Sequence, residues 1–164
     1  MSLGLEIFTI FHVVLSLIGI LAGFVVVYGL LTANRLDGWT KAFLWTTVLT
    51  SVTGYFFPFH KLLPSHIVGV VSLVVLALCI YARYSQKLAG GWNRTYAISA
   101  VIALYLNVFV LVAQLFQKVP ALKALAPTQT EPPFLIAQTV VLLAFIVIGI
   151  FSATRFHQQQ LRAA

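Results

Sequence analysis

The sequence predicts an all-α, polytopic bundle of five membrane-spanning helices, and three observations carry that prediction. The chain is 61% hydrophobic and only 8% charged, whereas soluble domains carry about 25% charged residues. Several uninterrupted apolar runs reach the roughly 20 residues that cross a hydrocarbon core of about 30 Å. None of them alternates with the period of two that a membrane β-strand requires. Residues 1–164 therefore read as a single transmembrane helical domain.

The first span is predicted from about Leu5 to Leu31. It carries His12, Ser16, Gly19 and Gly23 on one helical stripe. The inner part of that stripe is the GxxxG of "GILAG", a device that lets two helix backbones approach closely. The N-terminal "MSLGLEIF" lacks a basic n-region, and the apolar run after it is longer than an h-region, so this helix is expected in the mature protein. The second span, about Thr40 to Phe57, is rich in hydroxyls, with Thr46, Thr50 and Thr53 on one face beside Gly54. Threonine fits a membrane helix by bonding the carbonyl one turn back.

The third span, about Pro64 to Tyr84, opens on Pro64 and Ser65, residues suited to a helix start. The fourth runs from about Arg94 to Gln117 and the fifth from about Pro133 to Thr154. "KVPALKALAPTQTEPPF" joins them and exceeds the roughly 2–8 residues usual between bundle helices. Its "ALKALA" predicts one or two helical turns on the outer surface, and the prolines of "EPPF" suit the start of the next span.

Orientation follows from the cations. In this topology Arg35, Lys41, Arg83, Lys87, Arg94, Arg155 and Arg162 share one side, and Lys61, Lys118 and Lys123 the other. The positive-inside rule places the richer side in the cytoplasm, the N-terminus outside and the C-terminus inside, in a bacterial-type inner (plasma) membrane. Trp39, Trp92, Tyr84 and Tyr96 are then expected as anchors in the cytoplasmic headgroup layer. The net charge of +7 resides in short loops, as topology requires, so the lipid bilayer and not nucleic acid is the predicted partner. The "NRT" at Asn93 has the pattern of a glycosylation acceptor, but its cytoplasmic placement argues against that use. Glu6 and Glu131 occupy helix starts, where the dipole favours a carboxylate, with Lys61 and Lys118 as candidate ion-pair partners.

Polar groups in lipid need a partner, a cavity or a ligand. His12, about two turns into the first helix, and His66, in the first turn of the third, are expected at similar depths near the outer surface. One reading makes them axial ligands of a b-type haem, or ligands of a metal together with His60. The other makes His12 a hydrogen-bonding partner of a neighbouring helix and leaves His60 and His66 in the wet interface. Asn107 and Gln114 share a face of the fourth helix, and Gln138 on the fifth lies at the depth of Gln114. Such amides usually tie helices together; the alternative is a polar pocket, for instance for quinone carbonyls.

Catalytic machinery is not visible. The chain has no HExxH, no phosphate-binding glycine loop, no paired intramembrane carboxylates and no CxxCH, and its one cysteine, Cys79, allows no internal disulfide. No ionisable residue falls at mid-membrane, which disfavours ion transport. The expected function is that of a small integral membrane protein acting through helix packing, as a homo-oligomer or an accessory subunit of a membrane complex. The alternative is an electron-transfer or redox protein that holds haem, a metal or quinone through His12 and His66.

Overall fold

The computed structural model describes residues 3–58 and 64–163, the side chains of residues 161 and 163 apart. His60 and Lys61, and with them the Glu6–Lys61 pairing, lie outside the described residues. The described residues form helices α1 (Leu3–Leu31), α2 (Asp37–Thr53), α3 (Pro64–Ile80), α4 (Trp92–Lys118), α5 (Pro120–Leu125) and α6 (Pro132–Ala163). Four helical segments are long and apolar enough to cross a membrane: Leu3–Leu31, Pro64–Ser85, Trp92–Lys118 and Pro132–Gln160. These mark a multi-pass helical membrane protein.

At 17 residues α2 is not among those four. It starts three residues before the expected Thr40 and passes into a 3-10 turn over Gly54–Phe56. Pro58 explains the stop. A proline disfavours helical backbone in the residue before it, and Phe57 is extended, with φ −71° and ψ 141°.

α1 and α2 run antiparallel in one register. His12 faces Thr53, Gly19 faces Thr46, Gly23 faces Phe43, and Gly29 faces Leu36. The glycine stripe is thus a packing face. A Cβ on Gly19 would sit 3.0 Å from Thr46 Oγ1, and one on Gly23 would sit 2.6 Å from Leu104 Cδ1 and 2.9 Å from Phe43 Cε2. Gly23 therefore lets α1 close on α2 and α4 together.

α4 is the central helix, packed against α1, α3 and α6. Its buried face alternates small and large residues, including Tyr96, Ala97, Ala100, Ala103 and Leu104. α6 returns antiparallel beside it, with Tyr96 against Phe156, Tyr105 against Phe145 and Phe116 against Phe134 at centroid separations of 5.7, 5.7 and 5.3 Å. α6 continues to Ala163, nine residues beyond the expected Thr154. No proline or glycine interrupts "ATRFHQQQLRA", and its residues are mostly adequate helix formers.

The α4–α6 connection is folded onto the bundle. The expected turns in "ALKALA" form α5. Gln129, in left-handed conformation at φ 60°, donates from Nε2 to the Ala113 carbonyl (2.7 Å) and accepts from Gln117 (3.2 Å). Glu131 does not pair with Lys118. Its carboxylate accepts from the Thr128 amide (3.2 Å), the Thr128 hydroxyl (2.8 Å) and the Thr130 amide (3.1 Å). Desolvation raises the carboxyl's pKa, but the Thr128 hydroxyl together with the backbone amides of Glu131, Thr128 and Thr130 outweighs it and holds it below its ordinary value.

Two outcomes follow from this packing. Gly23→Ala is expected to destabilise the bundle by about 1–3 kcal/mol, the usual cost of overpacking, because both neighbours it meets are fully buried; thermal unfolding in detergent measures this. For Glu131 the folded pKa is depressed, so its contribution is present above the ordinary value of 4.5 and is lost as pH falls through the lower folded value. Hydrogen exchange at the Thr128 and Thr130 amides, corrected for intrinsic rate, should be flat down to about pH 5 and accelerate only below the ordinary carboxylate value.

Candidate functional site

The polar side chains gather at the two ends of the bundle, with a few hydrogen bonds between. At the end holding the start of α1, His12 is half-buried. Its Nδ1 lies 2.8 Å from Thr53 Oγ1, and its ring meets Phe57 edge-on at 5.1 Å. The Thr53 hydroxyl has one proton and directs it to the Leu49 carbonyl (2.7 Å). The imidazole therefore donates from Nδ1, and its Nε2 carries the lone pair.

His66 is buried in the first turn of α3. Tyr55 donates its hydroxyl to the His66 carbonyl (2.7 Å), with the two rings 5.6 Å apart. Gly69 makes this contact possible, since a Cβ there would lie 2.8 Å from the Tyr55 oxygen. His12 thus meets the end of α2 at Thr53, and the backbone of His66 meets the 3-10 turn after it at Tyr55. Among the described residues no group of three or more His, Cys, Asp or Glu side chains converges as a metal site.

The three amides sit in different surroundings. Asn107 Nδ2 donates to Thr47 Oγ1 (3.3 Å), joining α4 to α2. Gln138 Nε2 donates to the Phe109 carbonyl (3.1 Å), joining α6 to α4, while its buried Oε1 has no hydrogen-bond partner. Gln114 is half-buried. Asn107 and Gln138 tie helices together as amides in lipid generally do.

The most connected polar group lies at the opposite end. Arg83 is only 6% exposed. Its Nη2 donates to the Asp37 carboxylate and to the Arg35 carbonyl (3.2 Å), and the guanidinium stands 4.9 Å from the Tyr96 ring centroid. Thr40 donates to the same Arg35 carbonyl (3.2 Å), so the contact between Thr40 and Tyr96 (3.3 Å) is a donation from the phenol. Tyr96 in turn packs on Phe156. One guanidinium thereby joins the α1–α2 connection, α2, the end of α3 and α4, and through Tyr96 reaches α6. Arg83 belongs to a π-helical turn, Tyr81–Ser85, in which the Gln86 amide bonds the Tyr81 carbonyl (3.0 Å). Beside it, His157 Nδ1 donates to Asn93 Oδ1 (2.6 Å).

Sequence reasoning placed Arg83 among the loop cations and Tyr96 among the interfacial anchors; both are buried. The signal was present in the spacing. Ser72, Leu76, Cys79 and Arg83 follow one another at helical intervals on the buried face of α3, and Asp37 is the single acid among the cations at this end. Asn93 is 2% exposed, so its burial argues against its use as a glycosylation acceptor.

Replacing one partner of the pair should cost more than replacing both. Asp37→Ala leaves the guanidinium with the Arg35 carbonyl and the Tyr96 ring but no counter-charge, an expected loss of about 1–3 kcal/mol, reduced from a fully buried case because Asp37 faces solvent. Arg83→Met combined with Asp37→Ala should recover part of that loss, and a double-mutant cycle on unfolding midpoints in detergent reads the coupling.

With this geometry in hand, comparison adds no relative: no family model matches the chain, and neither a curated protein nor a solved structure matches it.

Proposed function

We propose that the chain is a five-span protein of a bacterial-type inner membrane, N-terminus outside and C-terminus cytoplasmic. We further propose that it acts through its helix faces as a homo-oligomer or an accessory subunit of a membrane complex. α2 supports the fifth span. Its 17 residues and the 3-10 turn after them extend about 31 Å, close to the hydrocarbon thickness. Its two ends also bond the polar groups at the two ends of the bundle, Arg83 at one and His12 at the other. The arginine-rich end supports the orientation.

The observation that carries the functional reading is the uneven coverage of the helices. The apolar stretch of α6 is 11% buried, against 44% for α4. Ile136, Val140, Leu143, Val147 and Ile150 follow each other at intervals of four and three along its exposed side. That spacing is the a/d seam of a helix–helix contact, and the helix spends little of it inside its own bundle. Meanwhile Asn107, Gln138, Arg83 and Tyr96 are engaged in holding helices together, in keeping with a non-enzymatic role.

Leu143→Cys in native membranes is expected to give an α6–α6 disulfide or a crosslink to a companion chain; the buried Cys79 stays silent. Leu21→Cys probes α1, whose exposed Val14, Leu17, Leu21 and Phe24 have the same spacing, and shows whether the contact is confined to α6. A protein that crosslinks at neither position and purifies as a monomer without a stoichiometric companion would overturn this reading.

The second reading is a redox protein that binds b-type haem, a metal or quinone near the outer surface through His12 and His66, with His60 as a further metal ligand. The Nε2 lone pair of His12 supports it, since a neutral imidazole nitrogen is what iron or another metal takes. A visible spectrum of the purified protein tests it. A Soret band that shifts on reduction and is lost in His12→Ala and His66→Ala supports haem, and negligible haem and metal in all three proteins removes the first two cofactors.

A further inference from the structure

We propose that the groove between α2 and α3, at the arginine-rich end of the bundle, binds one anionic phospholipid. Its headgroup lies at Lys41 and an acyl chain runs along Leu44, Val48 and Ile80. The groove measures about 430 Å³ and is lined by Lys41, Leu44, Trp45, Val48, Ile80 and Tyr84. That volume falls within the roughly 300–1,000 Å³ of sites that hold small ligands.

Charge decides the class of lipid. Asp37, one turn before Lys41 on α2, is already neutralised by Arg83. Lys41 forms no ion pair among the described residues, and Arg35 adds charge of the same sign in the adjoining connection. The mouth of the groove is therefore net positive, while the wall beyond it is hydrocarbon. A headgroup with a net negative charge and an apolar tail complements both parts, as basic pockets between spans do for acidic lipids. Trp45 and Tyr84 also line the groove and are exposed, and such amphipathic rings generally sit near headgroup level.

Native mass spectrometry tests the proposal on the whole protein in mild detergent, titrated with phosphatidylglycerol or phosphatidylcholine of the same acyl chains. The wild type is expected to retain phosphatidylglycerol about fivefold better, the advantage of one lysine at an anionic headgroup. Lys41→Ala should abolish the preference and Lys41→Arg should keep it. Trp45→Ala should lower retention of both lipids. Lys123→Ala, at the other end of the bundle, should behave as wild type. Lys41 and Trp45 are exposed, so these variants should melt with the wild type, and a melting curve checks that each is folded. Equal retention of the two lipids by the wild type, or a preference that survives Lys41→Ala, overturns the proposal. Retention unchanged in Trp45→Ala overturns the placement of the chain.

Discussion

A guanidinium buried in a mostly hydrocarbon bundle is the constraint around which the rest is arranged. Taking a charge out of water costs several kcal/mol unless partners replace the lost hydration. Arg83 offsets much of that cost with a carboxylate, a backbone carbonyl and an aromatic face drawn from three other segments. Both hydrogen bonds leave from Nη2, while its buried Nη1 has no hydrogen-bond partner among the described residues. Each partner is thereby fixed. The α1–α2 connection must present the Arg35 carbonyl inward, and Leu36 takes a left-handed backbone at φ 41° in doing so. α2 must begin at Asp37, earlier than its apolar pattern starts. Tyr96 must turn into the bundle instead of out to the headgroups.

The same economy governs the other polar groups. Thr46 and Thr53 in α2 send their protons one turn back along their own helix, and Thr53 then accepts from His12. Thr40 sends its proton to the Arg35 carbonyl in the α1–α2 connection and accepts from Tyr96. A threonine-rich helix thus becomes a row of acceptors facing donors on α1 and α4, with Asn107 at Thr47 completing the series. That is why α2 tolerates so many hydroxyls beside hydrocarbon.

Much of this was legible in the sequence. The long apolar runs, the glycine stripe at Gly19 and Gly23, the short helix in "ALKALA" and the helix start at "EPPF" all rest on local patterns, and local patterns survive folding. What was not legible depended on distance between segments. Nothing near Arg83 in the chain announces that Asp37, 46 residues away, will meet it. An arginine at the end of a span looks like an ordinary topological marker until its partner is known. His157 and Asn93 escaped notice for the same reason, being 64 residues apart. The end of α2 was misplaced by a turn because the apolar "YFF" continues past the point where Pro58 stops the helix.

The length of α6 has a mechanical consequence. At about 1.5 Å per residue its 32 residues extend about 48 Å, well beyond the roughly 30 Å of hydrocarbon. The emergent turns carry Arg155, His157 and Arg162 and no proline breaks them. A continuous ladder of backbone hydrogen bonds is stiff along its axis and in rotation. A push or twist on the emergent turns therefore travels as rigid-body motion into the rows where α6 meshes with α4. The ring of His157 on Asn93 is the fulcrum nearest the applied force. In this respect α6 is a lever whose long arm is the apolar span and whose short arm is the basic C-terminal turns.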